Sequence, residues 1–406
     1  MRLRLHTALV VSCCVSACTT DDDPLPASRL EVVRAPASVI PGEPTPQTLI
    51  VRVLDDMGQS AHGALVQWAA APGSGSLTQS ADTTGLDGLA SAEWLPGLAE
   101  GEQEISVTIY GQPAARIRVR ASAFHADKIA ASYRDGCGLA GTAVWCWAHA
   151  SFYGPNATIT RVLPQLSVAD IAVSSGYVCA LDAAGATFCH SNFDALPPES
   201  YVTPEGLPPI RGISAGGSTF CGIAIADNTA WCWNHNRRIP VQISAGLQLA
   251  SVSVWGFVSC GLTAAGEAWC WEGSSAPVAV PGGHTFRMIS VGQFSTCAIG
   301  ARTTLYCWSE SNAPVAIAGV TAAQVALGTF DEGVLNTSSS AAVFSLNSSD
   351  AGEFGLGEGV LPVPARGVAD HCALTFDGTV FCALPANGSN SFGPYRWVAI
   401  PAPTPP

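Results

Sequence analysis

Lysine is nearly missing from this chain: Lys128 is the only one in 406 residues, and Asp, Glu, Lys and Arg together reach 12%. The formal net charge is −13. A protein without clustered cations cannot neutralise a phosphate backbone, which excludes nucleic acid as a partner. The one basic run places Arg116, Arg118 and Arg120 alternately with Ile117 and Val119, the pattern of a strand with one wet face. No stretch after the first residues reaches the roughly 20 apolar positions of a membrane-spanning helix, and long helical periodicity is absent. Catalytic constellations are missing too. There is no His-Glu-x-x-His and no phosphate loop. The Gly-x-Ser-x-Gly match at 212–216 places Ser214 at the opening of a strand, not on the strand-to-helix turn of a nucleophile elbow. The histidines of the mature chain stand singly, and Asp350, Glu353 and Glu358 fit no calcium loop. No enzyme activity, cofactor or metal is therefore expected.

What is abundant is turn chemistry. Gly occurs 41 times and Pro 28 times, and with helices excluded this composition reads as an all-β chain of many short strands. The length accommodates two or three domains.

The chain opens "MRLRLHTALVVSCCVSACTTDDD". Arg2 and Arg4 precede a short apolar run that is too short to span a membrane. The end of this run, "VSAC", resembles the lipobox of bacterial lipoprotein signal peptides. That resemblance implies that residues 1–17 are removed and that Cys18 carries the lipid, with 18–27 as a polar tether. The alternative, an ordinary secretory signal cut at a small residue, exports the chain equally. In the lipoprotein reading the lipid is the only membrane attachment, and Thr19 and Thr20 resemble the sorting pattern of outer-membrane lipoproteins. The expected localisation is the outer membrane or cell surface.

Export accounts for the cysteines, because disulfides persist outside the cytosol. Fifteen are present; Cys13, Cys14 and Cys18 belong to the leader, leaving twelve. They fall into pairs: Cys137/Cys146, Cys179/Cys189, Cys221/Cys232, Cys260/Cys270, Cys297/Cys307 and Cys372/Cys382. First members recur every 37–42 residues, with one gap of 75 between Cys297 and Cys372. A seventh unit, "VALGTFDEGVLNTSSSAAVFSLN", fills that gap, with Gly333 and Ser345 at the expected cysteine positions. Both cysteines are lost together, as expected if they bond to each other. In "CALTFDGTVFC" the central Asp377-Gly378 is a hairpin turn. The two cysteines then face each other on neighbouring antiparallel strands, close enough for a disulfide after slight adjustment. Zinc is a poor alternative, since its cysteine ligands favour spacings of two to four.

The aromatics follow the strand period of two. Before each second cysteine stands Trp145, Phe188, Trp231, Trp269, Tyr306 or Phe381, with Phe344 in the unit without cysteine. After it stand Trp147, Trp233, Trp271 and Trp308, replaced elsewhere by His190, Leu346 and Ala383. A strand apolar on both faces suits a sheet sandwiched between two neighbours, and a period near 40 suits a propeller or solenoid. "ISAGGSTFCGIAIADNTAWCW", "ISVGQFSTCAIGARTTLYCW", "VADHCALTFDGTVFCAL" and "LNSSDAGEFGLGEG" resemble the bacterial form of the RCC1 repeat. Over 126–403 this implies a seven-bladed propeller. Most units lack the full Gly-rich ending of that repeat. The tail "YRWVAIPAP" resembles the strand preceding each hairpin, as in "APVAVPGG", so 396–401 is expected to complete the first blade and close the ring.

Residues 28–122 hold about seven short strands separated by Asp56-Met57-Gly58, Pro72-Gly73, Asp87-Gly88 and Pro96-Gly97, which suits a β-sandwich. "VRVLDDMGQSAHGALVQW" and "GSGSLTQSADTTGLDGLASAEWLPG" resemble bacterial Ig-like domains of the invasin/intimin type, with Trp68 and Trp94 between the sheets. The resemblances imply a spacer carrying a non-enzymatic, monomeric scaffold for an unidentified protein or glycan. Phe152, Tyr153, Phe193 and Tyr201, in long loops between units, are the candidate contacts. The alternatives are a propeller inhibitor of a hydrolase and, less favoured, a carbohydrate-active enzyme.

Overall fold

A computed structural model describes residues 29–42, 45–132, 135–148, 159–191, 197–234, 239–243, 246–309, 312–328, 332–336, 341–346, 354–361, 363–385 and 395–402. All regular elements in them are strands. Cys18 and the tether lie outside the described residues.

The N-terminal part is two facing sheets. One runs Arg29–Arg34, Gln47–Leu54, Leu89–Leu95, Ser76–Leu77 across its width; the other runs Ser38–Val39, Gln112–Ala121, Gly101–Ile109, Leu65–Ala70, Ala81–Thr83. Alternation explains both. In Leu89–Leu95 every second side chain is buried, and the buried sets of the two sheets form one core containing Leu49, Val51, Trp68, Trp94, Ile105 and Val107. The Trp94 indole also donates to the Ser74 carbonyl at 2.6 Å. The basic strand behaves as expected: Arg118 pairs with Glu102 and Glu104 at 3.3 and 3.1 Å on an exposed surface.

From Lys128 onward the described residues form seven small antiparallel sheets in chain order, six of four strands and one of three. Within each sheet the strands follow one another outward from an inner strand. The inner strands are Lys128–Ala131, Asp170–Ser174, Ile210–Gly216, Ser251–Trp255, Phe286–Val291, Gln324–Leu327 and Ala365–Ala369. Each packs beside the next, and the seventh packs against the first. All seven line one central cavity. Sheets radiating from a closed ring of inner strands define a β-propeller.

The six cysteine pairs are disulfides: Cys137–Cys146, Cys179–Cys189, Cys221–Cys232, Cys260–Cys270, Cys297–Cys307 and Cys372–Cys382. Each joins directly opposed residues with Cα atoms 4.0–4.1 Å apart. Their recurrence with tryptophan has a packing cause. Each disulfide faces the following sheet, and the residue after the second cysteine faces the preceding one. Trp233 packs on the Cys179–Cys189 bridge, Trp271 on Cys221–Cys232, Trp308 on Cys260 and, across the ring closure, Trp147 on Cys372–Cys382. Each indole removes roughly 150–250 Å² from water, worth about 4–6 kcal/mol by area.

Two bridges lack such an indole. Cys146 and Cys307 are buried with their partners Cys137 and Cys297, but aliphatic side chains cover them. Ile171, Val173, Val178 and Ala180 of the second sheet pack on Cys137–Cys146, and Val325 and Leu327 of the sixth on Cys297–Cys307. The four tryptophans that follow a second cysteine thus cover four of the six bridges, and aliphatic side chains cover the other two. In the second sheet His190 occupies the position after the second cysteine and turns its Nδ1 to the Ser200 carbonyl at 2.7 Å.

Two expectations are corrected. The C-terminal strand Tyr395–Ala399 pairs with Val380–Pro385 in the seventh sheet, not with the first. The first sheet already has its own inner strand, Lys128–Ala131. Strands such as Val278–Ala279 and Val315–Thr321 are likewise the outer strands of the hairpin before them. A strand reached by a short connection pairs with its immediate neighbour, so the ring closes by packing. In the sixth sheet, Ser345 lies opposite Glu332, and Gly333 opposite Phe344. No cross-link pins the register there.

The sandwich and the ring are joined at the seventh sheet. Ala123 bridges Pro401 and His125 bridges Thr379. The Ala399 amide donates to the Pro41 carbonyl at 2.9 Å, and the Ala126 amide to that of Gly378 at 2.8 Å. Ile40 and Leu98 pack on the cluster that holds Trp397. Glu100 accepts from the Ala123 amide at 2.9 Å and from His125 Nε2 at 2.8 Å.

Candidate binding rim and hub

Because strands alternate in direction, the ring has two unlike rims. One carries the turns between second and third strands and the connections between sheets. The other carries the turns between first and second strands and the loops between third and fourth. The Gly273 amide, just after a third strand, donates to the Phe257 carbonyl at 2.7 Å, joining the latter two on one side.

The sandwich lies against the first rim at the seventh sheet. It meets the seventh sheet through Pro41 on Ala399, and the residues that follow it meet the Asp377-Gly378 turn, where His125 Nδ1 lies 3.1 Å from the Asp377 carbonyl. Burial opposes ionisation of Asp377, but hydrogen bonds from Thr375 Oγ1 and the Thr379 amide outweigh it and hold its carboxyl below the ordinary value. In the equivalent turn of the third sheet the Thr229 hydroxyl, at 2.8 Å, and then its amide hold Asp227 low in the same way.

Among the described residues, the second rim carries exposed aromatics. Phe257 is 82% and Phe294 53% exposed, in equivalent turns of adjacent sheets, three positions before the first cysteine. Ile239 adds an exposed apolar side chain beside the third sheet. Of the residues anticipated from sequence, Phe152, Tyr153 and Phe193 lie outside the described residues. Tyr201 is described and exposed, but it packs edge-on against Phe188 with ring centroids 5.1 Å apart. Val202 next to it bridges Cys189 at mid-strand, so Tyr201 sits on the flank of the second sheet. The paired cysteines, Cys146 and Cys307 among them, are cross-links inside the sheets and take no part in the rim. The sequence signal for Phe257 and Phe294 was their shared offset from the cysteines.

The hub is laced by serines. Ser214, Ser253 and Ser290 each accept a hydrogen bond from the amide of the next inner strand: Val254 at 3.3 Å, Val291 at 2.9 Å and Leu327 at 2.9 Å. Ser214, the centre of the Gly-x-Ser-x-Gly match, is thus a structural link. No group of three His, Cys, Asp or Glu able to hold a metal occurs among the described residues, and no helix there is long and apolar enough to cross a membrane. Six disulfides are stable in an oxidising, exported setting.

No protein-family model matches the chain, and none of the curated proteins matches it. Among solved structures it is similar to human WBSCR16, with 11% identity over 73% of this chain and 92% of that one and a TM-score of 0.49. It is also similar to Prp20p from Saccharomyces cerevisiae, with 12% identity over 68% and 82% and a TM-score of 0.46. A third is the CRINKLY ectodomain of the Arabidopsis thaliana receptor kinase ACR4, with 18% identity over 61% and 93% and a TM-score of 0.42. These are likenesses of overall shape; the propeller assignment rests on the closed ring of inner strands.

Proposed function

We propose that the chain is a non-enzymatic, exported lipoprotein, anchored through Cys18, whose seven-bladed RCC1-like propeller is a binding scaffold for a protein or glycan. In this reading residues 28–122 are an Ig-like spacer and 18–27 a tether. The observation that supports it is the polarity of the ring. The sandwich covers part of one rim, while Phe257 and Phe294 stand exposed on the opposite rim beside the long loops. Exposed aromatics on a rigid scaffold are the usual anchors of recognition surfaces.

The test is capture of a cross-linked partner by the exported chain and by a Phe257→Ser, Phe294→Ser variant. Both side chains are solvent-exposed, so the variant keeps its melting temperature. Capture lost in the variant supports the rim reading; capture unchanged refutes it. A Cys18→Ala chain is expected in the soluble fraction, and its retention in membranes would refute the anchor.

A further inference from the structure

The hub cavity has a volume of about 290 Å³ and is walled mainly by Ala, Val, Ile and Leu from all seven inner strands. Its two ends differ. At the end nearer the sandwich, Lys128 is ion-paired with Asp170, so the chain's single ammonium is already neutralised. At the end toward the second rim, Ser132 and Asp370 project from the adjoining ends of the first and seventh inner strands. Ser132 is 4% and Asp370 5% exposed. The Ser132 hydroxyl and the Oδ2 atom of Asp370 make no hydrogen bond. The Nδ1 atom of His371, next in the chain, contacts Asp370 Oδ1, and one imidazole N–H leaves most of the carboxylate's acceptor capacity unused.

The backbone is arranged to keep that carboxylate where it is. Asp370 sits in the left-handed region at φ 45°. Gly328 of the sixth sheet faces it, and a Cβ there would meet Oδ1 at 2.0 Å. A buried carboxylate oxygen without a hydrogen-bond donor is costly, and positions of this kind in an unusual backbone conformation cluster where a ligand completes them. Across the cavity, Trp255 of the fourth sheet lines the wall, beside exposed Phe257.

We propose that this mouth binds a cationic group rich in N–H donors, an alkylammonium or guanidinium. Asp370 is its counter-ion, Ser132 a second acceptor, and Trp255 flanks its alkyl stem or guanidinium face. An anion is repelled by Asp370, and a bare metal ion lacks a coordination set among the described residues. The cavity accepts one extended side chain rather than the larger ligands of typical pockets, which run from roughly 300 to 1,000 Å³. The carrier is either a free small cation or a Lys or Arg of a protein partner. Only the second case rests on the rim reading above; the site itself stands on the hub.

The test is calorimetric titration of the exported chain with agmatine, with a capped Gly-Arg-Gly peptide and with uncharged N-butylurea. Agmatine or the peptide is expected to saturate one site, and N-butylurea not to bind. Asp370→Asn is expected to weaken binding roughly 10- to 100-fold, the range for a hydrogen bond to a charged group. Ser132→Ala is expected to weaken it a few-fold. Asn keeps the side-chain shape and tolerates a positive φ, so the variant retains the wild-type melting temperature or exceeds it. Tighter binding of the peptide assigns the site to a protein side chain, and tighter binding of agmatine to a free cation. Absence of saturable binding by both cations, equal binding of N-butylurea, or unchanged affinity in Asp370→Asn and Ser132→Ala overturns the proposal. Binding of agmatine alongside partner capture that ignores Phe257 and Phe294 would refute the rim reading and leave this site standing.

Discussion

Reduction of the six disulfides should unfold the ring, and the structure sets the size of the effect. Each bond closes a hairpin with partners 9–11 residues apart, which chain-entropy reasoning values at about 2.7 kcal/mol. The hairpins follow one another without nesting, so their contributions to the unfolded chain are independent and add. Six together amount to about 16 kcal/mol, at or above the whole stability of an ordinary domain, about 5–15 kcal/mol. Reduced and alkylated protein should therefore lose its cooperative thermal transition. A single pair replaced by alanine, Cys260 and Cys270, should lower the transition by roughly 5–10 °C. Differential scanning calorimetry under oxidising and reducing conditions reads both. A reduced chain that melts within a few degrees of the oxidised one would refute the reasoning, as would mass-spectrometric bridges between different sheets.

Other expectations follow from single contacts. Trp271→Ala opens a cavity over the Cys221–Cys232 bridge and should cost about 3–5 kcal/mol, measured by denaturant unfolding; a cost below about 1 kcal/mol would mean that the indole is not a packing element. Gly42 holds φ 75°, and a Cβ there would meet the Trp397 carbonyl at 2.6 Å. Gly42→Ala should thus cost about 1–3 kcal/mol in strain and speed hydrogen exchange in the seventh sheet. Asp227 and Asp377 titrate below the ordinary carboxylate value when folded. Their folded form is favoured above the unfolded value of about 3.9, and that contribution is lost as the pH falls below it through the folded values. Asp377→Asn should flatten the acid limb of a stability–pH curve, and an unchanged limb would refute the assignment.

The hairpin core of each unit was legible because three local signals agree there: a turn, a facing cysteine pair and aromatics at a period of two. The outer strands were legible as strands, but their partners were not. "APVAVPGG" stands between two hairpins, and its hydrophobic pattern does not say which side it joins; connection length decides, and it pairs backwards. The register of the sixth sheet failed for a related reason. Alignment puts Gly333 at a cysteine position, yet nothing covalent holds it opposite Ser345. The cover over each bridge was only partly readable, because the side chains on Cys146 and Cys307 come from the next unit, where no aromatic marks them. Ser132 and Asp370 were invisible as a pair because they are 238 positions apart and meet only when the ring closes. Phe257 and Phe294 carried a readable signal, a fixed offset from the cysteines, that the longer loops overshadowed.

The directional packing of the ring explains where the sandwich sits. In four sheets a tryptophan caps the bridge of the sheet before, so a sheet without a bridge offers its successor nothing to cap. The sixth sheet has no cysteines, and the seventh has Ala383 where those four have tryptophan. That seam is filled instead by Ala341, Val343, Leu361, Ala373, Phe381 and Trp397. Trp397 comes from the outermost strand, which has no further strand to brace it. Ile40, Gly42 and Leu98 of the sandwich lie directly against it or its cluster, and the Pro41 carbonyl accepts from Ala399 at 2.9 Å. The sandwich therefore buttresses the seam that lacks both a bridge and its tryptophan. The same linker passes on to the ring closure, where Arg366 donates to the Ala126 carbonyl at 2.9 Å. Support is thus concentrated at the sixth, seventh and first sheets on one rim, and the opposite end of the seventh and first inner strands carries Ser132 and the unpaired Oδ2 of Asp370. A rigid base beneath that mouth is what a site holding a buried, strained carboxylate requires.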